Sequence, residues 1–137
     1  MDFTIRQTKE DDYEAVFALV HDSGVSLDFT EQQFRSMLRR TPECYYVAEA
    51  DDQVVGNVFG MHDGAFRGYI GSLVVAEPYR RRGIAKALVK ELIGVYESLG
   101  LKRIFAQIEK TNEASLGLFR SLGMNPSETH YVVDNLH

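Results

Sequence analysis

A short basic loop followed by the start of a helix is the first stretch of this sequence that could bind a ligand. Three consecutive arginines, Arg80, Arg81 and Arg82, precede Gly83. The first amides of a helix have no intrahelical partner and lie at the positive end of its dipole, and a glycine lets the backbone approach a bound group closely. These features predict a site for a phosphate or pyrophosphate. The alternative is that the arginines are solvated loop charges and that Gly83 only eases the turn.

The residues on either side place this loop between a strand and a long helix. Leu73, Val74 and Val75 favour a strand, and Pro78, which has no N–H, should end that strand before the arginines. After the loop, apolar residues recur with the spacing of one helix face. This spacing predicts an amphipathic helix at 84–99.

Length and composition restrict the class of protein. With 137 residues, the chain 1–137 is predicted to be a single domain with one core. The net charge of −5 argues against general binding to nucleic acid or to anionic membranes. No apolar run approaches the ~20 residues needed to span a bilayer, and the N-terminus lacks the pattern of a signal peptide. A single cysteine, Cys44, fits a reducing cytoplasm and excludes a cysteine-rich zinc site, so we expect a cytoplasmic protein without a metal.

Periodicity and turn residues predict the remaining elements. Strands are predicted at 3–6, 44–50, 54–61, 68–75, 103–109 and 129–133, and helices after starts at Thr8 and Thr30, at 84–99 and at 112–122. Three consecutive strands joined by short turns indicate an antiparallel meander. The strand–helix–strand unit that follows should be parallel and right-handed. Where its two parallel strands diverge, a cleft should open at the carboxyl edge of the sheet.

Two segments resemble those of a known family. Residues 80–85 (Arg-Arg-Arg-Gly-Ile-Ala) resemble the R/Q-x-x-G-x-G/A signature of the GCN5-related N-acetyltransferases, the GNAT superfamily. Residues 112–124 resemble the family's N-x-x-A/S-x-x-L-Y-x-x-L-G-F segment, with departures at Phe119 and Met124, and the hairpin at 60–68 resembles that of small bacterial members. The order β-α-α-β-β-β-α-β-α-β is that of the GNAT fold. That fold is α/β with a mixed sheet, in which an antiparallel meander precedes a β-α-β unit with splayed parallel strands.

The resemblance implies transfer of an acetyl group from acetyl-CoA to an amine of a small molecule or of a protein. It implies that the pantetheine arm pairs with the strand before the basic loop as an added strand would. It also implies that amides around Gly83 hold the pyrophosphate and that Arg81 or Arg82 reaches the 3′-phosphate. The implied cofactor-binding residues are Leu73, Val74, Val75, Arg80, Arg81, Arg82, Gly83, Ile84, Ala85, Asn112 and Phe119. Asn112 has an alternative role, since Thr111 and Asn112 also form a good helix cap.

Acetyl transfer by direct attack in a ternary complex needs groups that handle protons and charge. The acceptor amine must lose a proton before it attacks, and the backbone N–H of Val75 is the predicted donor to the oxyanion. Many family members have a tyrosine that protonates the leaving thiolate at the position of Phe119, which has no hydroxyl. Ser115 could act there through water, or the thiolate could leave without an acid. A local hydrogen bond to the helix backbone is the alternative role of Ser115.

The sequence does not identify the general base. The position that carries a carboxylate in the histone-modifying branch of the family corresponds to Tyr69, which cannot act as that base at neutral pH. Glu43, Glu49, His62 and Asp63 are other candidates near the sheet, and each could instead be a surface group or a turn former. We name none of them as the base. The alternative function is therefore a GNAT-fold module that binds acetyl-CoA or CoA without turnover, as a sensor or regulatory partner.

The acceptor amine is not identified either. In this family the first two helices and their loop, here residues 11–40, determine the acceptor together with the last strands. That region is acidic, which suits a cationic amine, although acidic residues also stabilise helix starts. The short last strand predicted at 129–133 leaves an edge that could pair with a second chain, so a homodimer is possible.

Overall fold

A five-stranded sheet forms the centre of the first part of the chain. The computed structural model describes residues 2–24, 28–108 and 110–127. The strands are β1 (Thr4–Gln7), β2 (Tyr45–Ala50), β3 (Gln53–His62), β4 (Arg67–Val75) and β5 (Arg103–Ala106). They lie in the order β1-β2-β3-β4-β5, and neighbouring strands are antiparallel except β4 and β5, which are parallel. The predicted meander and the parallel strand–helix–strand unit are both confirmed.

The α-helices in the described ranges are α1 (Tyr13–Asp22), α2 (Glu31–Arg40), α3 (Ile84–Ser98) and α4 (Glu113–Ser121). Helix α2 begins where the sequence predicts. The Thr30 hydroxyl accepts the Gln33 N–H at 3.1 Å, and the Gln33 side chain accepts the Thr30 N–H at 2.8 Å, so two free amides are satisfied reciprocally. Within these ranges no helix has the length and apolarity that a bilayer span requires.

Helix α3 packs closely on one face of the sheet. Its apolar stripe, which includes Ile84, Leu88 and Tyr96, is buried. Glycines in β3 make this close packing possible. A Cβ at Gly56 would lie 3.1 Å from the side chains of Ile84 and Leu88, and a Cβ at Gly60 would lie only 2.3 Å from the Tyr96 hydroxyl. The position of α3, and hence of its N-terminus, is therefore set by tight contact with β3.

The opposite face of the sheet is covered by α1 and α2 through aromatic contacts. Because side chains alternate along a strand, Phe59 of β3 points away from α3. Its ring centroid lies 6.4 Å from that of Phe34 in α2, which lies 5.6 Å from that of Tyr13 in α1. Apolar contacts on both sides of the sheet therefore fix the strands that carry the candidate site.

The first helix does not begin as predicted. The sequence places a capping residue at Thr8, but the Thr8 hydroxyl is buried without a partner in the part of the chain that is described. The carboxylate of Asp12 instead accepts the Lys9 N–H at 2.7 Å, and the Arg6 guanidinium holds that carboxylate at 2.8 Å. A 3-10 turn at Glu10–Asp12 therefore precedes α1. The ion pair with Arg6, six residues earlier in the chain, holds Asp12 in this position, so Asp12 and not Thr8 caps the turn.

Two other predicted elements end early or fall outside the described ranges. The strand predicted at 103–109 ends at Ala106, because its pairing with β4 stops where Ala106 lies opposite Ile70. The last strand, predicted at 129–133, and most of the loop predicted at 24–28 lie outside the described residues.

Contacts divide the chain into two compact units, Met1–Gln107 and Ile108–His137. The first unit contains the sheet and α1 to α3, and the second contains α4. That residues 1–137 form a single domain stays a prediction. The fold class itself is confirmed as α/β with a mixed sheet, since the strand directions and the element order as far as α4 are those predicted.

Candidate functional site

Strand β4 continues beyond the end of its pairing with β5. The parallel register stops at Ile70 opposite Ala106, whereas β4 itself continues to Val75. Among the described residues, no strand pairs with residues 71–75 on the side that faces away from β3. We call these residues, on that side, the open edge. It corresponds to the cleft that the sequence predicts where the parallel strands diverge.

Backbone directions in β4 differ before and after the start of the open edge. Before it, the Asp63 N–H donates to the Arg67 carbonyl at 3.1 Å. Arg67 and every second residue after it therefore direct their backbone groups toward β3. After it, the Ala76 N–H donates to the Val55 carbonyl at 2.8 Å. From Val74 onward, the even-numbered residues of β4 direct their backbone groups toward β3. Up to Gly71, the odd-numbered residues do so.

A β-bulge causes this reversal. Between Gly71 and Val74 the register shifts, so that three residue steps of β4 lie opposite two of β3. Ser72, inside the shift, has a left-handed φ of +46°. The extra residue inverts the alternation. As a result, Leu73 and Val75 direct their N–H and C=O groups to the open edge, where a ligand could pair with them.

The side chains of the predicted cofactor strand contribute little to this edge. Val74 and Val75 are each 9% exposed, and Leu73 is partly buried. Ile84, at the start of α3, is also buried, and Ala85 is partly buried. These five predicted site residues can therefore offer mainly backbone groups, as the added-strand and helix-amide predictions require.

The basic loop connects the open edge to α3. Nε of Arg80 donates to the Val75 carbonyl at 2.9 Å, so this side chain ties the loop back to the strand. Because the Val75 carbonyl is used in this hydrogen bond, the Val75 N–H is the backbone group of that residue that is left to pair with a ligand at the open edge. Arg81 and Gly83 have left-handed φ angles of +65° and +83°. Glycine adopts this conformation freely, whereas arginine does so at a cost.

The N-terminus of α3 has no side-chain cap. Its N-cap residue is Gly83, and the first helical hydrogen bond runs from the Ala87 N–H to the Gly83 carbonyl at 3.0 Å. The amides of Ile84, Ala85 and Lys86 have no hydrogen-bond partner among the described residues. Three convergent free N–H groups at a helix N-terminus suit an anion with several acceptor oxygens.

Local charge favours the same ligand. Arg80, Arg81 and Arg82 are exposed, and none of them forms an ion pair with a carboxylate in the described ranges. They form an unneutralised positive segment on a chain of net charge −5. The basic loop and the helix amides therefore fit a pyrophosphate, and the open edge fits an arm that carries amide groups. A pyrophosphate and such an arm, the pantetheine, are the two parts of acetyl-CoA for which the family resemblance predicts these sites.

Asn112 and Phe119 belong to the second unit. Oδ1 of Asn112 accepts the Ser115 N–H at 3.1 Å and caps α4, so the alternative role given to Asn112 by the sequence is present. Phe119 lies within α4. Contact of either residue with the cofactor stays a prediction.

Two of the candidate bases are held by hydrogen bonds from neighbouring side chains. Glu49 pairs with the Arg6 guanidinium. Oε1 of Glu43 lies 3.0 Å from Nε2 of His62, and this hydrogen bond lowers the pKa of Glu43. A carboxylate with a lowered pKa is a weaker base. His62 ends β3, about 20 Å along that strand from the residue opposite Val75 at ~3.3 Å per residue.

Asp63 is a turn former rather than a free base. Its Oδ1 accepts the N–H groups of Ala65, Phe66 and Arg67 at 2.9, 2.7 and 3.0 Å. These backbone hydrogen bonds lower its pKa to about 2. Asp63 therefore closes the β3–β4 hairpin. Tyr69, which is 44% exposed, stacks on Phe105 with 5.4 Å between ring centroids.

Glu43, Cys44 and His62 bring three potential metal ligands within 4.8 Å of one another. The Gly64 N–H donates to Nδ1 of His62 at 3.0 Å, so Nε2 carries the proton that is shared with Glu43. Both ring nitrogens are thus used in hydrogen bonds, and a metal would have to displace one of them. Burial also raises the pKa of the Cys44 thiol, which disfavours the thiolate that a metal requires.

Sequence reasoning missed the bulge and the residues that support it. Nδ2 of Asn57 donates to the Ser72 carbonyl at 2.9 Å, and Arg80 reaches back to Val75. The one signal in the sequence is Gly71, because a glycine inside a strand pattern often marks a bulge. Nothing in the local pattern indicates that Asn57 lies opposite it.

Comparison with known proteins agrees with this geometry. The family model of the Acetyltransferase (GNAT) family matches residues 5–124. An acetyltransferase of Pectobacterium atrosepticum is 32% identical over 120 residues, which cover 86% of this chain and 84% of that protein. The N-alpha-acetyltransferase MAK3 of Arabidopsis thaliana is 30% identical over 120 residues, which cover 84% of this chain and 63% of that protein. Among solved structures, a chain of the NatC complex bound to Gag peptide and CoA matches with a TM-score of 0.76 and 26% identity, over 89% of this chain and 84% of that one. The fold, the open edge beside a basic helix start and these similarities agree that the chain belongs to the acetyltransferase (GNAT) family.

Proposed function

We propose that this N-acetyltransferase transfers the acetyl group of acetyl-CoA to the α-amino group of a peptide by direct attack in a ternary complex. The observation that carries the proposal is an open strand edge next to an uncapped, basic helix N-terminus. Leu73 and Val75 present backbone groups in the direction in which an added strand would pair. The free amides of α3 and the three arginines suit the pyrophosphate end of the same ligand.

Direct attack places negative charge on the acetyl carbonyl oxygen, and the Val75 N–H is the donor that we assign to it. This N–H lies on the open edge, because the Val74 carbonyl in the same peptide group faces β3, where Val74 pairs with Asn57. The direction of the N–H is therefore fixed before a ligand binds. A preorganised donor at a developing oxyanion lowers the activation free energy by about 3 kcal/mol.

The chemistry of the candidate bases favours an α-amine as the acceptor. Glu43 is hydrogen-bonded to His62, Glu49 is paired with Arg6, and Asp63 is held by turn amides. An α-amino group with a pKa near 7.8 is about one-third unprotonated at pH 7.5, whereas a lysine with a pKa of ~10.4 is only about 0.1% unprotonated. An α-amine thus needs far less help from a base. Two similar proteins support this class: MAK3 is named an N-alpha-acetyltransferase, and the NatC structure contains a peptide.

Calorimetric titration with acetyl-CoA tests the cofactor site. We expect micromolar binding by the parent and at least tenfold weaker binding, about 1.4 kcal/mol, by Arg82→Glu and by Gly83→Asp. Lys90→Glu is the matched control, because it makes the same charge change at an exposed position inside α3. Equal losses in Arg82→Glu and Lys90→Glu would show a general charge effect and no local site.

Matched peptides test the acceptor. One peptide has a free N-terminus and no lysine, and the other has a blocked N-terminus and one internal lysine. We expect thiol release from acetyl-CoA with the first peptide and at least tenfold less with the second. The reverse preference would contradict the α-amine proposal while leaving the cofactor site intact.

Phe119 supports a second candidate function. Many relatives have a proton-donating tyrosine at this position, and phenylalanine cannot supply that proton. The chain would then be a GNAT-fold module that binds acetyl-CoA or CoA as a sensor. Tight binding of acetyl-CoA with no thiol release for any peptide or small amine would favour this function, and measurable turnover would exclude it.

A further inference from the structure

Asn57 of β3 is fully buried, at 0% exposure, and its side chain bonds the bulge of β4. Nδ2 donates to the Ser72 carbonyl at 2.9 Å. Oδ1 has no partner among the described residues. An unpaired buried acceptor destabilises a fold, whereas an apolar side chain of similar size would not. Stability therefore does not explain an asparagine at this position.

The hydrogen bond from Asn57 meets β4 where its backbone is least favourable. Ser72 has a left-handed φ of +46°, which costs energy for any residue with a Cβ. Such a conformation persists when its surroundings hold it. Within the described ranges, the Asn57 amide provides the single side-chain hydrogen bond to residues 71–74. This amide is thus the local restraint on the bulge.

The direction of the open edge depends on the bulge. Arg67 faces β3, so a regular strand would also turn Leu73 and Val75 toward β3. Ser72 and Val74 would then face the open edge in their place. The proposed oxyanion donor, the Val75 N–H, would point away from the ligand. One inserted residue therefore decides which backbone groups a ligand meets.

We infer that Asn57 is a positioning residue for acetyl transfer: it holds the bulge at Ser72 and so directs Leu73 and Val75 to the open edge. It acts through the β4 backbone and does not need to touch a substrate. The inference rests on the proposed function, because the open edge matters for catalysis only if acetyl-CoA pairs with it.

The variant Asn57→Leu tests this role. It removes the hydrogen bond to Ser72 and also removes the unpaired Oδ1, at similar side-chain size. We expect the urea midpoint of unfolding to stay at or above that of the parent. We also expect the kcat/KM for acetyl-CoA to fall at least tenfold, while the KM for the acceptor peptide stays within twofold. A residue needed only for stability would show the opposite pattern, with a lower midpoint and unchanged kinetics in the folded fraction.

A second substitution provides a rescue. Glycine adopts left-handed φ angles without a Cβ penalty, so Ser72→Gly should lessen the need for a restraint. We expect Asn57→Leu/Ser72→Gly to recover at least half of the lost log kcat/KM, and Ser72→Gly alone to resemble the parent. Failure of the double variant to fold, or the absence of any rescue, would overturn the inference.

The failure of this inference can be told apart from failure of the proposed function. If the parent does not bind acetyl-CoA, the proposed function is wrong whatever Asn57 does. Amide hydrogen exchange at Gly71 and Val74, whose N–H groups face β3 on either side of the bulge, then still tests the restraint. We expect faster exchange at these amides in Asn57→Leu than in the parent, and unchanged exchange would show that Asn57 does not hold the bulge.

Discussion

The N-termini of α3 and α4 are built in opposite ways. At α4, Asn112 has an ordinary negative φ of −87°, and its side chain accepts the Ser115 N–H. At α3, the N-cap is Gly83 with a φ of +83°, and no side chain caps the helix. One helix start satisfies an amide internally, and the other leaves its first amides without a partner among the described residues, beside three arginines.

This difference identifies a ligand site more clearly than the sequence motif does. Free amides are a cost that most helices avoid through capping. The residues of α2 and α4 illustrate that rule, with Thr30 and Asn112 as caps. Helix α3 departs from it at the point where the chain is most basic. An anion that binds there supplies the missing partners, so binding energy takes the place of a cap.

The largest effect is expected from changing the backbone at the start of α3. A Cβ at Gly83 would meet nothing within 4 Å, so any effect of a side chain there comes from the left-handed φ. We expect Gly83→Val to weaken acetyl-CoA binding at least tenfold, because a β-branched residue strongly disfavours φ near +83°. Calorimetry measures the change. Gly83→Asn is the matched control, since asparagine tolerates left-handed backbone, and it should retain most of the affinity. Equal losses in both variants would mean that the left-handed turn is not what matters.

A smaller effect is expected at the start of α4, where Asn112 has two possible roles. We expect Asn112→Ala to lower the free energy of unfolding by about 1 kcal/mol, because the cap is lost. Asn112→Asp keeps a carboxyl oxygen for the Ser115 N–H but has no amide donor for a ligand. Urea unfolding and calorimetry on both variants separate the roles. If the Asn112→Asp variant preserves both stability and acetyl-CoA affinity, Asn112 is a helix cap and its predicted contact with the cofactor is wrong.

Local signals in the sequence predicted the fold well. Strand alternation, the capping box at Thr30 and the apolar stripe of α3 depend on neighbouring residues, and each was found where predicted. The basic loop was predicted for the same reason, since Gly83 and the arginines are adjacent in the chain. The cap at Thr8 failed because Arg6 holds Asp12 through its side chain, a contact that local spacing does not encode.

The support of the site could not be predicted from local signals. Asn57 and Ser72 are 15 residues apart and meet only through the register of β3 and β4. A bulge changes that register by one residue, and the consecutive apolar residues Leu73, Val74 and Val75 show no alternation that would locate it. The direction of the Val75 N–H follows from this register, so it became visible only in the folded chain.

The smallest effect is expected at the hairpin that joins β3 to β4, at the opposite end of β4 from the basic loop. Its three backbone hydrogen bonds lower the pKa of Asp63 from 3.8 to about 2. A carboxyl with a lowered folded-state pKa stabilises the fold above its unfolded pKa, and this stabilisation is lost as the pH falls through the folded value. We therefore expect the contribution of Asp63 to be complete above about pH 5 and to disappear between about pH 4 and pH 2. The difference in urea midpoint between the parent and Asp63→Ala should narrow as the pH falls across that window.

Asp63 is exposed at a turn, so the difference in urea midpoint should be small at neutral pH. Unlike the substitutions at Gly83, Asp63→Ala should leave acetyl-CoA affinity unchanged. A loss of acetyl-CoA affinity in Asp63→Ala would show that the hairpin and the open edge are coupled through β4. The two ends of that strand would then not be independent of each other.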